Sequence, residues 1–211
     1  MRMGTKGHSR GTGLYLVTPP VENPADVAHA LADALNATEI AAVLLRLAPG
    51  DEPTQRERIK ALRILIQSNG AALLLDGHAA LAAPAEADGA HLTGVDALRA
   101  AVPALKPARI AGCGGLTSRH DAMLAAEMGA DYVMFGEPDA TGKRPSVEAV
   151  LERVAWWTEI FQVPCVAFAA QCDEIETLAR ANAEFVAVSE DIWRNPRNMR
   201  DAISLTAEAV R

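Results

Sequence analysis

Charged side chains recur at one kind of position along this chain, directly after a short apolar run. Arg46, Asp76 and Glu137 each lie at the end of such a run, and Lys143 lies in the loop beyond Glu137. Two carboxylates at successive strand ends can share one Mg²⁺, which completes its shell with phosphate and water oxygens. Arginine and lysine bind phosphate oxygens. Asp76, Asp96, Arg46 and Lys143 together therefore predict a site for Mg²⁺ and a pyrophosphate ester, whose departing charge needs stabilisation.

The stretch 131–145, DYVMFGEPDATGKRP, contains the Gly-Lys pair of a nucleotide-binding P-loop, but its spacing excludes that loop. A P-loop has four residues between its first glycine and Gly-Lys, followed by Ser or Thr. Here five residues separate Gly136 from Gly142, and Arg144 occupies the hydroxyl position. Pro145 also disfavours a helical conformation at the residue before it, where a P-loop would begin its helix.

Each candidate also has a purely structural interpretation. Arg46 could simply pair with Asp76, and Asp76 and Asp96 could each cap the helix that follows. Gly114 could belong only to a tight turn, and Lys143 could be a solvated loop residue.

Further candidates for substrate binding follow the fifth, sixth and eighth apolar runs: Cys113, Gly114, Thr141 and Ser189. Cys113 has no obvious base partner in the sequence, which argues against a nucleophile. His78 and His91 fit no zinc-ligand spacing and are interpreted as structural histidines.

The elements that must position these residues are short apolar runs alternating with amphipathic segments. The runs are continuous, as is typical of strands buried on both faces of a parallel sheet. They cover residues 14–18, 41–47, 71–76, 89–93, 109–113, 131–136, 164–169 and 184–189. Helical patterns lie between them, for example at 24–36, 54–68 and 118–129, and a final helix is expected at 195–210. Ser118 is a predicted N-cap, and Pro103 is expected to cut the helix after the fourth strand.

Eight such units in about 200 residues predict a single α/β domain, a (β/α)8 TIM barrel over residues 13–211. Residues 1–12 are expected to be a flexible N-terminal segment. A doubly wound open sheet would need a glycine-rich turn after the first strand, and the sequence at 18–20, Thr-Pro-Pro, does not provide one. In a barrel of this kind, chemistry occurs at the carboxyl ends of the strands, where the candidates lie.

The overall composition limits the kinds of partner that the protein is expected to bind. The chain has 211 residues, half of them hydrophobic, with a net charge of −7 and a pI of about 5.2. This balance argues against nucleic-acid or anionic-membrane binding. Three cysteines without metal-ligand spacing, and no apolar segment long enough for a signal peptide or a membrane span, predict a cytoplasmic protein. The pair at 156–157, Trp-Trp, is expected on the barrel exterior or at a subunit interface, which makes a homodimer an expectation.

The segments LYLVT (14–18), ADGAHLTGVD (87–96) and GADYVMFGEPDATGK (129–143) resemble the thiamine phosphate synthase/TenI family, and the similarity extends over nearly the whole chain. The family synthase joins hydroxymethylpyrimidine diphosphate to a thiazole phosphate and releases pyrophosphate with the help of Mg²⁺. By position, the resemblance implies that Arg46 contacts pyrophosphate and that the metal ligands are Asp76 and Asp96. It also implies that Thr141 and Lys143 belong to the phosphate-binding loop after the sixth strand.

The chain departs from the family pattern at several of its binding positions. Ala48 stands where the family has a lysine, and Leu75 where it has an asparagine. Alanines at 169–170 replace the glycines whose backbone receives the thiazole phosphate, and their methyl groups obstruct a close approach. Glu190 and Asp191 would repel that phosphate. The pyrophosphate half of the site is thus expected to be partly retained, and the thiazole-phosphate half to be altered.

Two alternatives to the synthase follow from the same resemblance. The TenI branch is a thiazole isomerase whose catalytic histidine lies just after the sixth strand, where this chain has Glu137. A carboxylate can act there as a general acid or base. The other alternative is a catalytically degenerate paralogue that binds a phosphorylated ligand without turnover.

Overall fold

The computed structural model describes residues 12–139 and 141–208, and in them strands and helices alternate as the sequence predicts. The strands are β1 (Gly13–Val17), β2 (Ile40–Leu45), β3 (Ala72–Asp76), β4 (Gly89–Thr93), β5 (Ile110–Gly114), β6 (Tyr132–Phe135), β7 (Cys165–Ala169) and β8 (Phe185–Val188). The helices are α1 (Ala25–Ala37), α2 (Glu52–Ser68), α3 (Ala79–Ala82), α4 (Val95–Leu105), α5 (Arg119–Glu127), α6 (Val147–Ile160), α7 (Cys172–Arg180), α8 (Glu190–Trp193) and α9 (Pro196–Glu208).

The strands form a closed barrel in chain order, in which β8 pairs with β1 and all pairs are parallel. The predicted (β/α)8 fold is confirmed, and the open sheet is excluded. Of the N-terminal segment expected at 1–12, only Thr12 lies within the described residues. Its hydroxyl donates a hydrogen bond to the carbonyl of Ala183.

Side chains alternate along each strand between two buried layers. An outer layer packs against the helices, and an inner cluster of strand residues fills the barrel. The inner cluster includes Tyr15, Leu44, Leu74, Tyr132 and Phe168. Because side chains alternate, the residue two positions after each residue of the inner cluster also faces inward. The polar residues at the carboxyl ends of the strands therefore lie together at one end of the barrel, which is its mouth.

Two details of the helices differ from the sequence prediction. Pro103 does not cut α4, which continues to Leu105. A proline in a helix removes one backbone hydrogen bond. The helix nevertheless buries Leu98, Ala101 and Leu105 on one side, and most helix stability in proteins comes from such packing. The short helix α8 after β8 was not predicted, because four residues are too few for a periodic pattern. The predicted cap at Ser118 is confirmed as a full capping box.

The two neighbouring tryptophans of α6 pack on the outside of the barrel. Trp157 is fully buried, stacks on Phe161 at 4.1 Å between ring centroids, and donates from Nε1 to the carbonyl of Val163 at 2.7 Å. Trp156 is partly exposed, and the guanidinium of Arg119 lies 4.8 Å from its ring centroid. Both tryptophans therefore find partners within one chain.

This difference in burial predicts unequal effects of truncation. Trp157→Ala should lower the free energy of unfolding by about 3–5 kcal/mol, since it leaves a large cavity between α6 and the barrel. Trp156→Ala is the matched control and should cost clearly less, because its ring is partly solvated. Urea unfolding followed by far-ultraviolet circular dichroism measures both. Equal losses in the two variants would contradict the packing described.

Candidate functional site

Arg46 and Asp76 meet at the barrel mouth, as their positions after β2 and at the end of β3 predict. Arg46 lies two residues after the inward-facing Leu44, and Asp76 two residues after the inward-facing Leu74. Arg46 Nε donates to Asp76 Oδ2 at 3.3 Å, and both side chains are partly exposed. The backbone N–H of Arg46 is fixed by the hydroxyl of Thr18 at 3.0 Å. The pair presents one cation and one carboxylate to whatever enters the mouth.

Asp96 lies on the neighbouring loop but is oriented differently. Strands β3 and β4 are joined beyond Asp76 by a hydrogen bond from Gly77 N–H to the His91 carbonyl at 2.8 Å, so their following loops are adjacent. Asp96 is in the first turn of α4, its side chain is 93% exposed, and it pairs with Arg99. The two predicted metal carboxylates thus share one end of the barrel, and the contact of Asp96 in this structure is with Arg99.

A chain of four polar side chains runs through the barrel interior towards this mouth. The hydroxyls of Tyr15 and Tyr132 are 2.9 Å apart, and the Tyr132 hydroxyl lies 2.9 Å from Nδ1 of His91. Nε2 of His91 lies 3.0 Å from Oε2 of Glu137. His91 is therefore a buried, fully partnered histidine, and Glu137 is its anionic partner. From the sequence, Glu137 was a candidate and His91 was interpreted as structural, while Tyr15 and Tyr132 were not selected.

Burial and nearby charges determine the protonation states in this chain of polar side chains. Burial raises the pKa of Tyr15 and of Tyr132, so both phenols stay neutral. Burial alone would lower the pKa of His91. The charge of Glu137, its hydrogen bond to the ring and the charge of Asp76 outweigh burial and raise that pKa above its ordinary value. The His91–Glu137 contact is therefore an ion pair over a wider pH range than an exposed histidine would allow.

One carboxylate oxygen of Glu137 has no hydrogen-bond partner among the described residues. This oxygen, Oε1, is buried. This oxygen lies against Gly114, where an added Cβ would be only 2.1 Å away. Gly114 therefore makes room for a carboxylate, which is a more specific requirement than the tight turn considered from sequence.

Cys113 does not bring its side chain to the mouth, which corrects the expectation that it contacts substrate there. It lies in the outer layer between the barrel and the helices and is fully buried. Burial, followed by the charge of Glu137, raises the pKa of its thiol to about 12. The physical reason is strand alternation: Gly114 faces inward, so its neighbour faces outward.

In the loop after β6, the carboxylate of Asp139 accepts hydrogen bonds from other residues of the same loop. Oδ1 of Asp139 accepts hydrogen bonds from the Thr141 N–H at 2.8 Å, the Thr141 hydroxyl at 2.6 Å and the Lys143 N–H at 3.0 Å. These bonds, led by those from Thr141, lower the pKa of Asp139. Thr141, which the sequence assigned to a phosphate, and the backbone N–H of Lys143 are thus engaged within the loop. The Lys143 side chain itself is exposed.

A cleft of about 450 Å³ lies between this loop and the turn after β5. Its wall includes Glu137, Lys143, Arg144 and Arg153. Arg153 donates to the carbonyls of Leu116 and Thr117 and so fixes the turn after β5. Arg144 and Arg153 were not selected from the sequence, because only the fold brings α6 and the two loops together.

Ser189 lies at the end of β8, as predicted, and joins the turns after β7 and β8. Its hydroxyl donates to the carbonyl of Ala170 at 3.2 Å. The N–H of Ala170 donates to Oε2 of Glu174 at 2.9 Å. These two turns are therefore bound to each other and to the first turn of α7.

The geometry defines a (β/α)8 protein whose candidate site lies at the carboxyl ends of its strands, with cations at the rim and an acid–histidine pair inside. The chain belongs to the TMP-TENI family, described as thiamine monophosphate synthase, whose family model matches residues 14–192. Within the described residues, no helix combines the length and apolar character that crossing a membrane requires.

Curated relatives agree with this assignment, and a solved structure agrees with the fold. The thiamine-phosphate synthase of Rhodospirillum centenum is 37% identical over 199 residues, which cover 90% of this chain and 94% of that protein. The thiamine-phosphate synthase of Hyphomonas neptunium is 33% identical over 192 residues, 87% of each chain. A thiamine phosphate pyrophosphorylase from Pyrococcus furiosus superposes with a TM-score of 0.75 over 96% of this chain and 98% of its own. At 20% identity, that likeness bears on the fold alone.

The ion pair between His91 and Glu137 leads to a prediction for the pKa of the His91 imidazole. In the wild type, the imidazole midpoint should lie above about 6.5, and in Glu137→Gln it should fall below that value, since burial remains and the charge is removed. Because the folded-state pKa is raised, the stabilisation from this pair is complete below about pH 6.5 and is lost as the pH rises through the folded value. Histidine-selective NMR measures the midpoint.

Glu152→Gln is the control for this titration. Glu152 pairs with Arg119 on the surface, far along the chain from His91. Its substitution should leave the His91 midpoint unchanged. A midpoint that moves upward in Glu137→Gln would show that the carboxylate does not govern the histidine.

Proposed function

We propose that this chain is a transferase of the thiamine-phosphate-synthase type, acting in thiamine biosynthesis. It would join hydroxymethylpyrimidine diphosphate to a thiazole acceptor, which in the family is a thiazole phosphate, and release pyrophosphate. The observation that carries the proposal is that Arg46 and Asp76 lie side by side and stay partly exposed at the mouth, at the two strand ends where the family resemblance expects a pyrophosphate contact and a metal ligand.

The reaction requires charge stabilisation more than a nucleophilic side chain. The carbon–oxygen bond to pyrophosphate breaks, and its electron pair leaves with the pyrophosphate. The lone pair of the thiazole nitrogen then forms the new carbon–nitrogen bond. Arg46 at the rim and the exposed Lys143 would bind the departing oxyanions, and cations placed where charge develops lower the barrier. The phenols and aromatic rings inside the barrel would keep water from the pyrimidine cation.

The residues present fit a magnesium ion bound together with substrate. Among the described residues there is no group of three or more His, Cys, Asp or Glu side chains that could hold a metal unaided. Mg²⁺ in phosphate sites needs only one or two carboxylates, with substrate phosphates and water as its other ligands. Asp76 and the exposed Asp96 would hold it, the latter after leaving Arg99. When bound, the ion would neutralise the charge of the leaving pyrophosphate.

The second candidate function is metal-independent proton transfer on a phosphorylated thiazole, as in the TenI branch. The specific observation in its favour is Glu137, which lines the cleft, has a buried oxygen without a partner and is held by His91. Such a carboxylate can accept a proton from a substrate carbon. A non-catalytic phosphate-ligand-binding paralogue is the remaining alternative, and ligand-induced stabilisation without product formation would identify it.

The homodimer and the cytoplasmic location expected from the sequence stay predictions. Trp156 and Trp157 have partners within one chain and give the dimer no further support. Size-exclusion chromatography with light scattering tests the oligomeric state.

The transferase proposal makes Asp76 essential. Asp76→Asn should slow product formation from the two substrates in the presence of Mg²⁺ by at least about a hundredfold, because a ligand to the charge-stabilising ion is lost. Chelation of Mg²⁺ should abolish activity in the wild type. Asp33→Asn is the control, since Asp33 is an exposed residue of α1 that pairs with His29. Unchanged turnover in Asp76→Asn, or turnover that survives chelation, would refute the magnesium-dependent mechanism.

Glu137 distinguishes the two candidate functions. If the chain is an isomerase, proton exchange at the substrate should persist without Mg²⁺ and should fall at least about a hundredfold in Glu137→Gln. If it is the transferase, no metal-independent exchange should occur in either protein. Deuterium incorporation into a thiazole carboxylate phosphate, followed by NMR, measures this directly.

A further inference from the structure

A carboxylate is bound at the end of β7, and an arginine from another loop holds it. Oε2 of Glu174, in the first turn of α7, accepts from the backbone N–H of Ala170 at 2.9 Å. Nη1 of Arg144 lies 2.7 and 2.9 Å from the two carboxylate oxygens. Arg144 and Glu174 are 20% and 17% exposed, so this ion pair is largely removed from solvent.

All three guanidinium nitrogens of Arg144 donate hydrogen bonds that hold the side chain in this position. Nε of Arg144 donates to the carbonyl of Gly136 at 3.3 Å, and Nη2 donates to the carbonyl of Phe168 at 3.2 Å. Its charge also lies 5.8 Å from the centre of the Phe168 ring. Arg144 thus links the ends of β6 and β7 and keeps Glu174 in place.

The position of Glu174 matters because of a general property of these barrels. Phosphate groups are frequently bound by the turns after the seventh and eighth strands, together with the N-terminus of a short extra helix. This chain has such a helix, α8, directly after β8. The turns at Ala170 and Ser189 are hydrogen-bonded to each other. The Ala170 N–H of the first of these turns is bound to the Glu174 carboxylate and so is not free for a ligand.

The surrounding charges also disfavour a phosphate there. The first turn of α8 contains Glu190 and Asp191. A phosphate monoester entering between the two turns would come close to the Glu174 carboxylate and to this acidic first turn. The one cation in direct contact with Glu174 in the described structure, Arg144, is already neutralised. Like charges brought together in a partly buried site strongly reduce affinity.

We propose that Glu174, held by Arg144, determines the acceptor by taking the place of its phosphate group. The site then takes a thiazole with a free hydroxyl group in preference to the same thiazole phosphorylated on that hydroxyl. This inference rests on the proposed transferase function and narrows its acceptor. The bonds made and broken are unchanged, because the hydroxyl group does not react: the thiazole nitrogen bonds to the pyrimidinylmethyl carbon as pyrophosphate departs.

The direct test is a competition between the two acceptors. Wild-type protein with hydroxymethylpyrimidine diphosphate and Mg²⁺ is given the hydroxyl and the phosphorylated thiazole, and the two products are separated by chromatography. The ratio of kcat/KM values should favour the hydroxyl acceptor. In Glu174→Gln, which keeps the shape and one acceptor oxygen but removes the negative charge, the ratio should shift towards the phosphorylated acceptor by at least about tenfold.

Glu176→Gln is the matched control for this variant. Glu176 lies in the same helix, two residues along the chain, and pairs with Arg180 on the surface. This substitution removes the same charge from α7 and should leave the ratio unchanged. A wild type that prefers the phosphorylated acceptor, or an equal shift in both variants, would overturn the inference.

Titration calorimetry of each acceptor separates this inference from the proposed reaction. Tighter binding of the hydroxyl thiazole to the wild type, reversed in Glu174→Gln, would support the assignment of Glu174 even if no product forms, and the absence of product would refute the transferase alone. Tighter binding of the phosphorylated thiazole to the wild type would overturn the inference even if transfer is observed. Binding of neither thiazole to either protein would overturn both.

Discussion

Closure of the barrel leaves polar groups in its interior with no partners except one another. Since β8 pairs with β1, the sheet has no edge, and the inner layer is sealed from water along most of its length. A buried polar group without a hydrogen bond is costly. The phenols of Tyr15 and Tyr132, the ring of His91 and the carboxylate of Glu137 therefore form one chain of contacts.

Glycines in the neighbouring strand give this polar chain its space. A Cβ on Gly112 would lie 2.0 Å from the Tyr132 ring, and one on Gly114 would lie 2.1 Å from Glu137. This chain of polar side chains ends at the mouth in the Glu137 carboxylate, one oxygen of which has no hydrogen-bond partner among the described residues. The same constraint that stabilises the interior thus also places the Glu137 carboxylate in the wall of the cleft.

At the mouth, the conformation of the loops depends on hydrogen bonds to their backbone N–H groups. Backbone N–H groups in the turns need acceptors, and in a phosphate-binding barrel the ligand can supply them. In this chain Asp139 serves the loop after β6 and Glu174 serves the turn after β7. Both are carboxylates, which are anions like phosphate but permanently attached. On the other side of the mouth, Arg46 and Asp76 keep partly exposed side chains, so the two sides of the mouth offer different groups to a ligand.

The sequence by itself determined the eight βα units, their order, the strand ends and the family, because continuous apolar runs and short motifs are local properties of the chain. It also placed Arg46, Asp76 and Glu137 at the mouth, since parallel strands align their carboxyl ends. Only the tertiary structure decided which of these side chains touch and which way each one faces. Cys113 faces outward because strand alternation fixes its direction, and His91, Arg144 and Glu174 gain their importance from partners 30 or more residues away along the chain. Such contacts depend on which side chains the closed barrel brings together, and local sequence patterns do not specify those pairs.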